Sequence, residues 1–104
     1  MARLKFQTLT EQMFYVLLCL RSECCGMDIM DRVPEMTGGR VQVGSGTLYH
    51  LLDEFLYADM IRETIAEGRK RSYILTDKGR QALQTERDRL LRQVQDYDRF
   101  FGEG

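Results

Sequence analysis

The sequence has no apolar run long enough to cross a bilayer. Its longest, Met13 to Leu20, is well short of the about 20 residues a spanning helix needs, so no membrane span is expected. Cysteine and histidine are scarce. Cys19, Cys24 and Cys25 form an odd set without a Cys-x-x-Cys spacing, and the single histidine, His50, lies far from them, which argues against a zinc site or a disulfide framework. The adjacent Cys24 and Cys25 read as reduced thiols in a loop, because a redox or soft-metal sensor would need an activating environment. Charge of one sign is lacking too: a formal net charge of −1 argues against a protein that coats nucleic acid indiscriminately. No acid and base flank a plausible nucleophile, and no glycine-rich loop has phosphate-cradling spacing, so neither an enzyme nor a cofactor or metal is expected. Basic Arg3 and Lys5 near the start are followed by acidic Glu11 with no small-residue cleavage site after the apolar run, and a cytoplasmic location is expected.

What is present is organised around Val41 to Phe55. Val41 and Val43 alternate around Gln42 as a short strand would, and a Gly44-Ser45-Gly46 turn then opens a helix with Leu48, Leu51, Leu52 and Phe55 on one face. Ser45, Gly46 and Thr47 at its N-terminus offer free backbone N–H groups, hydroxyls and the positive end of the helix dipole, which suit an anion such as phosphate. Upstream, Thr10 caps a first helix running to about Arg21, with Leu9 placed to pack on Phe14. That helix is apolar on every side, so it should be covered on more than one face. Gly26 opens a second helix with Met27, Ile29, Met30 and Val33 inward, which the sole proline, Pro34, ends or kinks. Met60 to Ile65 and Lys70 to Leu75 read as a hairpin with a basic tip.

Thr76 then caps a long final helix, Asp77 to about Phe101. Its stripe of Leu83, Leu90, Val94, Tyr97 and Phe101 has the alternating spacing of a two-helix seam, interrupted by Arg87. At 104 residues the chain is near the lower size limit for folding unaided, so a homodimer is expected, with Phe14 joining the stripe in the interface.

This order of elements is that of a winged helix-turn-helix: mainly α with a small hairpin, residues 1–75, followed by a dimerisation helix, residues 76–104, in one compact unit. The third helix would enter the major groove of double-stranded DNA and the wing would touch the flanking backbone. Gln42, Ser45, Gly46, Thr47, Tyr49 and His50 are the candidate contacts on the helix, and Arg69, Lys70 and Arg71 those on the wing. Ser45, Thr47 and Tyr49 suit phosphates, leaving Gln42, His50 and duplex shape to carry sequence preference. A module that docks on a protein partner through the same fold is the alternative, motivated by the near-neutral charge.

Gly44-Ser45-Gly46-Thr47-Leu48-Tyr49 followed by Ile61, then Arg69-Lys70-Arg71-Ser72-Tyr73-Ile74-Leu75-Thr76 and Gly79, resembles the signature of the PadR-type transcriptional regulators. Gly26-Met27-Asp28-Ile29 and Leu9-Thr10 are similar to that family's second-helix and first-helix motifs, so the resemblance covers about Leu9 to Leu83. It implies a homodimeric repressor on a pseudo-palindromic operator, paired through the C-terminal helix, and the brief tail resembles the subfamily with one such helix. Two positions depart. Asp59 stands where the family has a glycine in a left-handed turn, which aspartate tolerates better than most residues. Members that sandwich planar drugs use tryptophan, and this chain has none. A small-molecule inducer would therefore need another apolar interface pocket, for which Phe6, Phe14, Tyr97, Phe100 and Phe101 are the aromatic candidates.

Overall fold

The computed structural model describes residues 8–64 and 71–102. Its elements are α1 (Glu11–Cys19), β1 (Cys24–Cys25), α2 (Gly26–Met36), α3 (Ser45–Tyr57), β2 (Ile61–Thr64), β3 (Ser72–Leu75) and α4 (Asp77–Phe100). They form a winged helix-turn-helix with a long C-terminal helix. Thr10 caps α1 by accepting the Met13 N–H at 3.2 Å. The sequence pattern carries α1 to about Arg21, and the helix ends at Cys19. The helix stops earlier because Leu20 turns its carbonyl outward to accept the Leu75 N–H of β3 at 2.8 Å. As its composition demands, α1 packs on both α2 and α4, and Val16, Leu17, Cys19 and Leu20 are buried.

The sheet differs from expectation. Residues 41–43 do not pair as a strand, although Val41 and Val43 are buried and Gln42 is exposed. The third strand is instead β1, read from sequence as a loop, which takes the edge of β3 that β2 leaves free; the order is β1-β3-β2, all antiparallel. In α2, Ile29 and Val33 are buried and Met30 is partly buried, but Met27 is 64% exposed. At about 100° per residue, Met27 falls a quarter turn or more from the Gly26, Ile29 and Val33 face. Pro34 does not end α2, which continues to Met36. The stop comes from Gly38 and Gly39 at φ +60° and +82°, with the Gly39 N–H returning to the Pro34 carbonyl at 2.8 Å.

Leu48, Leu51, Leu52 and Phe55 carry α3 into a core shared with Leu17, Leu20, Ile29, Val33, Ile61 and Tyr73. Fully burying each large apolar side chain stabilises the fold by about 2 kcal/mol. Asp59 terminates α3 in the left-handed region, φ 62°, as anticipated. The Asp59 N–H reaches Leu56 O at 3.1 Å and the Met60 N–H reaches Phe55 O at 2.9 Å, a double return bond that closes the helix.

The start of α4 docks on this turn. Thr76 donates its hydroxyl to Asp59 O at 2.6 Å and accepts from the Gly79 N–H at 3.1 Å. A Cβ at Gly79 would lie 2.0 Å from the Met60 carbonyl oxygen, so only glycine permits this approach. Further along, the buried carboxylate of Glu86 accepts the Leu9 N–H at 3.1 Å and the Arg89 Nε–H at 3.2 Å. Arg89 first, with help from the Leu9 N–H, holds this carboxyl below its ordinary range.

Candidate nucleic-acid interface

The N-terminus of α3 is uncapped by any side chain. Gly44 occupies the cap position in extended geometry, and the first helical bond runs from the Leu48 N–H to Gly44 O at 2.8 Å. The N–H groups of Ser45, Gly46 and Thr47 therefore have no partner inside the helix, and all three residues are exposed. Among the described residues the hydroxyls of Ser45 and Thr47 are also not engaged as caps. Nothing lies within 4 Å of a Cβ built on Gly46, so its own fold does not require glycine there.

Tyr49 and His50 are exposed on the same helix, one and two positions past the buried Leu48. Tyr49 does more than its sequence reading as a phosphate-holding phenol suggests. A Cβ at Gly26 would meet its hydroxyl oxygen at 2.5 Å and Cζ at 2.9 Å, so the ring braces the first turn of α2 against α3. His50 Nε2 lies 3.6 Å from a carboxylate oxygen of Glu54, one turn on. Gln42 keeps its side chain exposed while its carbonyl accepts from Gln12 Nε2 at 2.9 Å, tying the approach to α3 onto α1. Arg40 in the preceding loop is held by Glu11 and by the Tyr15 hydroxyl, the latter at 3.2 Å.

On the wing, Arg69 and Lys70 lie outside the described residues. Arg71 is exposed but not free: it donates from Nε and Nη2 to the two carboxylate oxygens of Glu63, at 2.9 and 3.0 Å, and its guanidinium lies 5.7 Å from the centroid of the Tyr73 ring. Arg71 in turn holds the Glu63 carboxyl below its ordinary value. Glu63 is a site residue that the sequence signals only as an acid on one strand of the hairpin facing a base at the foot of the other. Glu86 carries no such signal, its partner Leu9 being remote in sequence.

Of the stripe expected on α4, Leu83 packs against the chain's own core, as Phe14 does, while Leu90 and Val94 are exposed and Tyr97 and Phe101 are 61% and 71% exposed. Leu91 and Phe100 add to this bare apolar surface. The cysteines are free and buried. Burial pushes the Cys24 thiol up to about 11 and raises Cys19 as well, so both stay protonated at neutral pH, the less reactive form. Among the described residues no group of His, Cys, Asp and Glu could hold a metal, and no helix is long and apolar enough to cross a membrane.

The sequence profile described as "Transcriptional regulator PadR-like family" matches residues 16–85. Among solved structures, a transcriptional regulator from Clostridium thermocellum is similar with a TM-score of 0.73 at 15% identity, over 88% of this chain and 92% of that one. H. salinarum RosR gives 0.66 at 24% identity, over 88% and 79% of the two chains. These two show a shared fold. Bacillus subtilis PadR, solved in complex with operator DNA, is 29% identical with a TM-score of 0.61, over 71% of this chain and 45% of that one. No curated protein sequence matches the chain.

Proposed function

Because the chain belongs to the PadR-like family of transcriptional regulators, we propose that it is a cytoplasmic, homodimeric, sequence-specific repressor of transcription, without enzymatic activity. In this reading the N-terminus of α3 enters the major groove of a pseudo-palindromic operator and the wing follows the flanking backbone. A signal, such as a small-molecule inducer, releases the protein. Residues 1–75 bind DNA and residues 76–104 pair the subunits.

The observation that carries the proposal is the tip of α3. Three backbone N–H groups and two hydroxyls are presented at the positive end of a helix whose opposite face is locked in the core. Glycine inside a helix is unfavourable by about 1 kcal/mol relative to alanine, and Gly46 has open space around it, so its use fits the close approach of an external backbone. Ser45, Gly46, Thr47 and Tyr49 then hold phosphates, with Gln42 and His50 nearest to base edges. Support also comes from Bacillus subtilis PadR, which was solved with operator DNA.

The test is binding to duplex from the region upstream of its own gene, at two salt concentrations. We expect affinity above that for random duplex, falling as salt rises, with Arg69→Ala/Lys70→Ala weakening binding to all sequences alike. Equal affinity for both duplexes, insensitive to salt, would leave the alternative of a protein-docking winged helix. The neutralisation of Arg71 by Glu63 is the observation that favours that alternative.

A further inference from the structure

Arg71 is held on two sides by elements of its own hairpin. Glu63 stands opposite Tyr73 in the β2–β3 ladder, so the two residues that hold Arg71 rise from paired backbone positions on the same face of the hairpin. Tyr73 is 1% exposed and cannot move aside. The carboxylate occupies one edge of the guanidinium, through Nε and Nη2. An arginine has five N–H donors, and among the described residues nothing takes those of Nη1. The guanidinium also lies within electrostatic reach of Asp53, an exposed residue in the third turn of α3, the helix assigned to the groove.

Such an arginine is poorly suited to neutralising phosphate. The attraction of a duplex for a basic side chain comes from net charge and the counterions it releases, and Glu63 cancels most of that charge while Asp53 adds repulsion. A planar donor set held in one orientation instead suits directional, uncharged acceptors on base edges, where placement decides discrimination. We infer that Glu63 is a positioning residue that aims Arg71 at base acceptors beside the recognition helix, lowering affinity for duplex of any sequence while raising discrimination between sequences. The inference rests on the DNA-binding reading above.

The experiment selects a preferred duplex from a random library with the wild-type protein, then compares it with its scrambled counterpart for wild type, Glu63→Gln and Glu63→Asp. Glu63→Gln removes a negative charge, so it should bind the scrambled duplex more tightly while the preference ratio falls about tenfold. Glu63→Asp keeps the charge but withdraws the carboxylate by one methylene, so the ratio should fall with scrambled affinity unchanged. Both changes are at an exposed ion pair, and thermal unfolding should shift little. Retention of the wild-type ratio by either variant would overturn the inference. Failure of the wild type to enrich any duplex would instead overturn the DNA-binding reading.

Discussion

The two halves of α4 present the same face to different surroundings. Gly79, Ala82, Leu83 and Glu86 recur at helical spacing on one side, and Leu90, Val94, Tyr97 and Phe101 continue that side beyond them. The first half is covered by α1 and β3, whereas every residue from Leu90 to Phe100 is exposed. A 24-residue helix is about 36 Å long, so it outruns the domain it caps. The side chains differ accordingly. In the covered half, contact is made through a glycine at a close approach, an alanine, the partly buried Leu83 and a carboxylate with fixed polar partners. In the bare half they are large and apolar with no polar role, which suits a surface the chain does not supply itself. The proposed second subunit is such a surface.

The largest effect should come from breaking the covered half. Gly79→Ala drives a methyl into the Met60 carbonyl, a rigid backbone atom, and should destabilise the fold by on the order of 3 kcal/mol or more. Urea unfolding followed by circular dichroism measures this, and a variant as stable as wild type would show that α4 can shift without penalty. Next comes the bare half. Leu90→Glu/Val94→Glu should weaken self-association about a hundredfold, roughly 2.7 kcal/mol, while leaving the winged-helix core folded. In sedimentation, an unchanged dimer would assign the interface elsewhere.

This contrast shows what could be read in advance. Thr10, Thr76 and the left-handed Asp59 were legible because caps and helix stops depend on neighbours within a few residues. The exposed tip of α3 was legible for a similar reason: once Leu48, Leu51, Leu52 and Phe55 face inward, helical period sends Gly46, Tyr49 and His50 outward, while Ser45, on the same side as Leu48 and Leu52, is exposed because it is the first residue of the helix. The pairing of Cys24–Cys25 with β3 was not, because two residues carry no periodicity and the pairing depends on which sheet edge remains free. Val41 and Val43 show the converse, an alternating pattern of burial with no strand to pair with. Nothing local in the sequence marks Glu86 or Glu63, and only the meeting of α4 with Leu9, and of β2 with Arg71, gives them partners.

Glu86 also supplies the subtlest test of the two halves, because it is the one charge buried on the covered face. Glu86→Gln keeps an acceptor for the Leu9 N–H but loses the charge that draws in Arg89, and should cost about 1–2 kcal/mol at neutral pH. The pH dependence fixes the cause. The carboxyl is held below its unfolded value, so its stabilisation is complete above the ordinary carboxylate range and disappears as pH falls through the lower folded value. The gap between wild type and Glu86→Gln in urea midpoint should therefore be flat near neutrality and close on acidification. A gap that persists in acid would mean that Glu86 acts by shape alone, as Gly79 does. Carboxylates in the bare half, such as Asp96, should show no comparable gap when replaced by asparagine, since solvent already surrounds them.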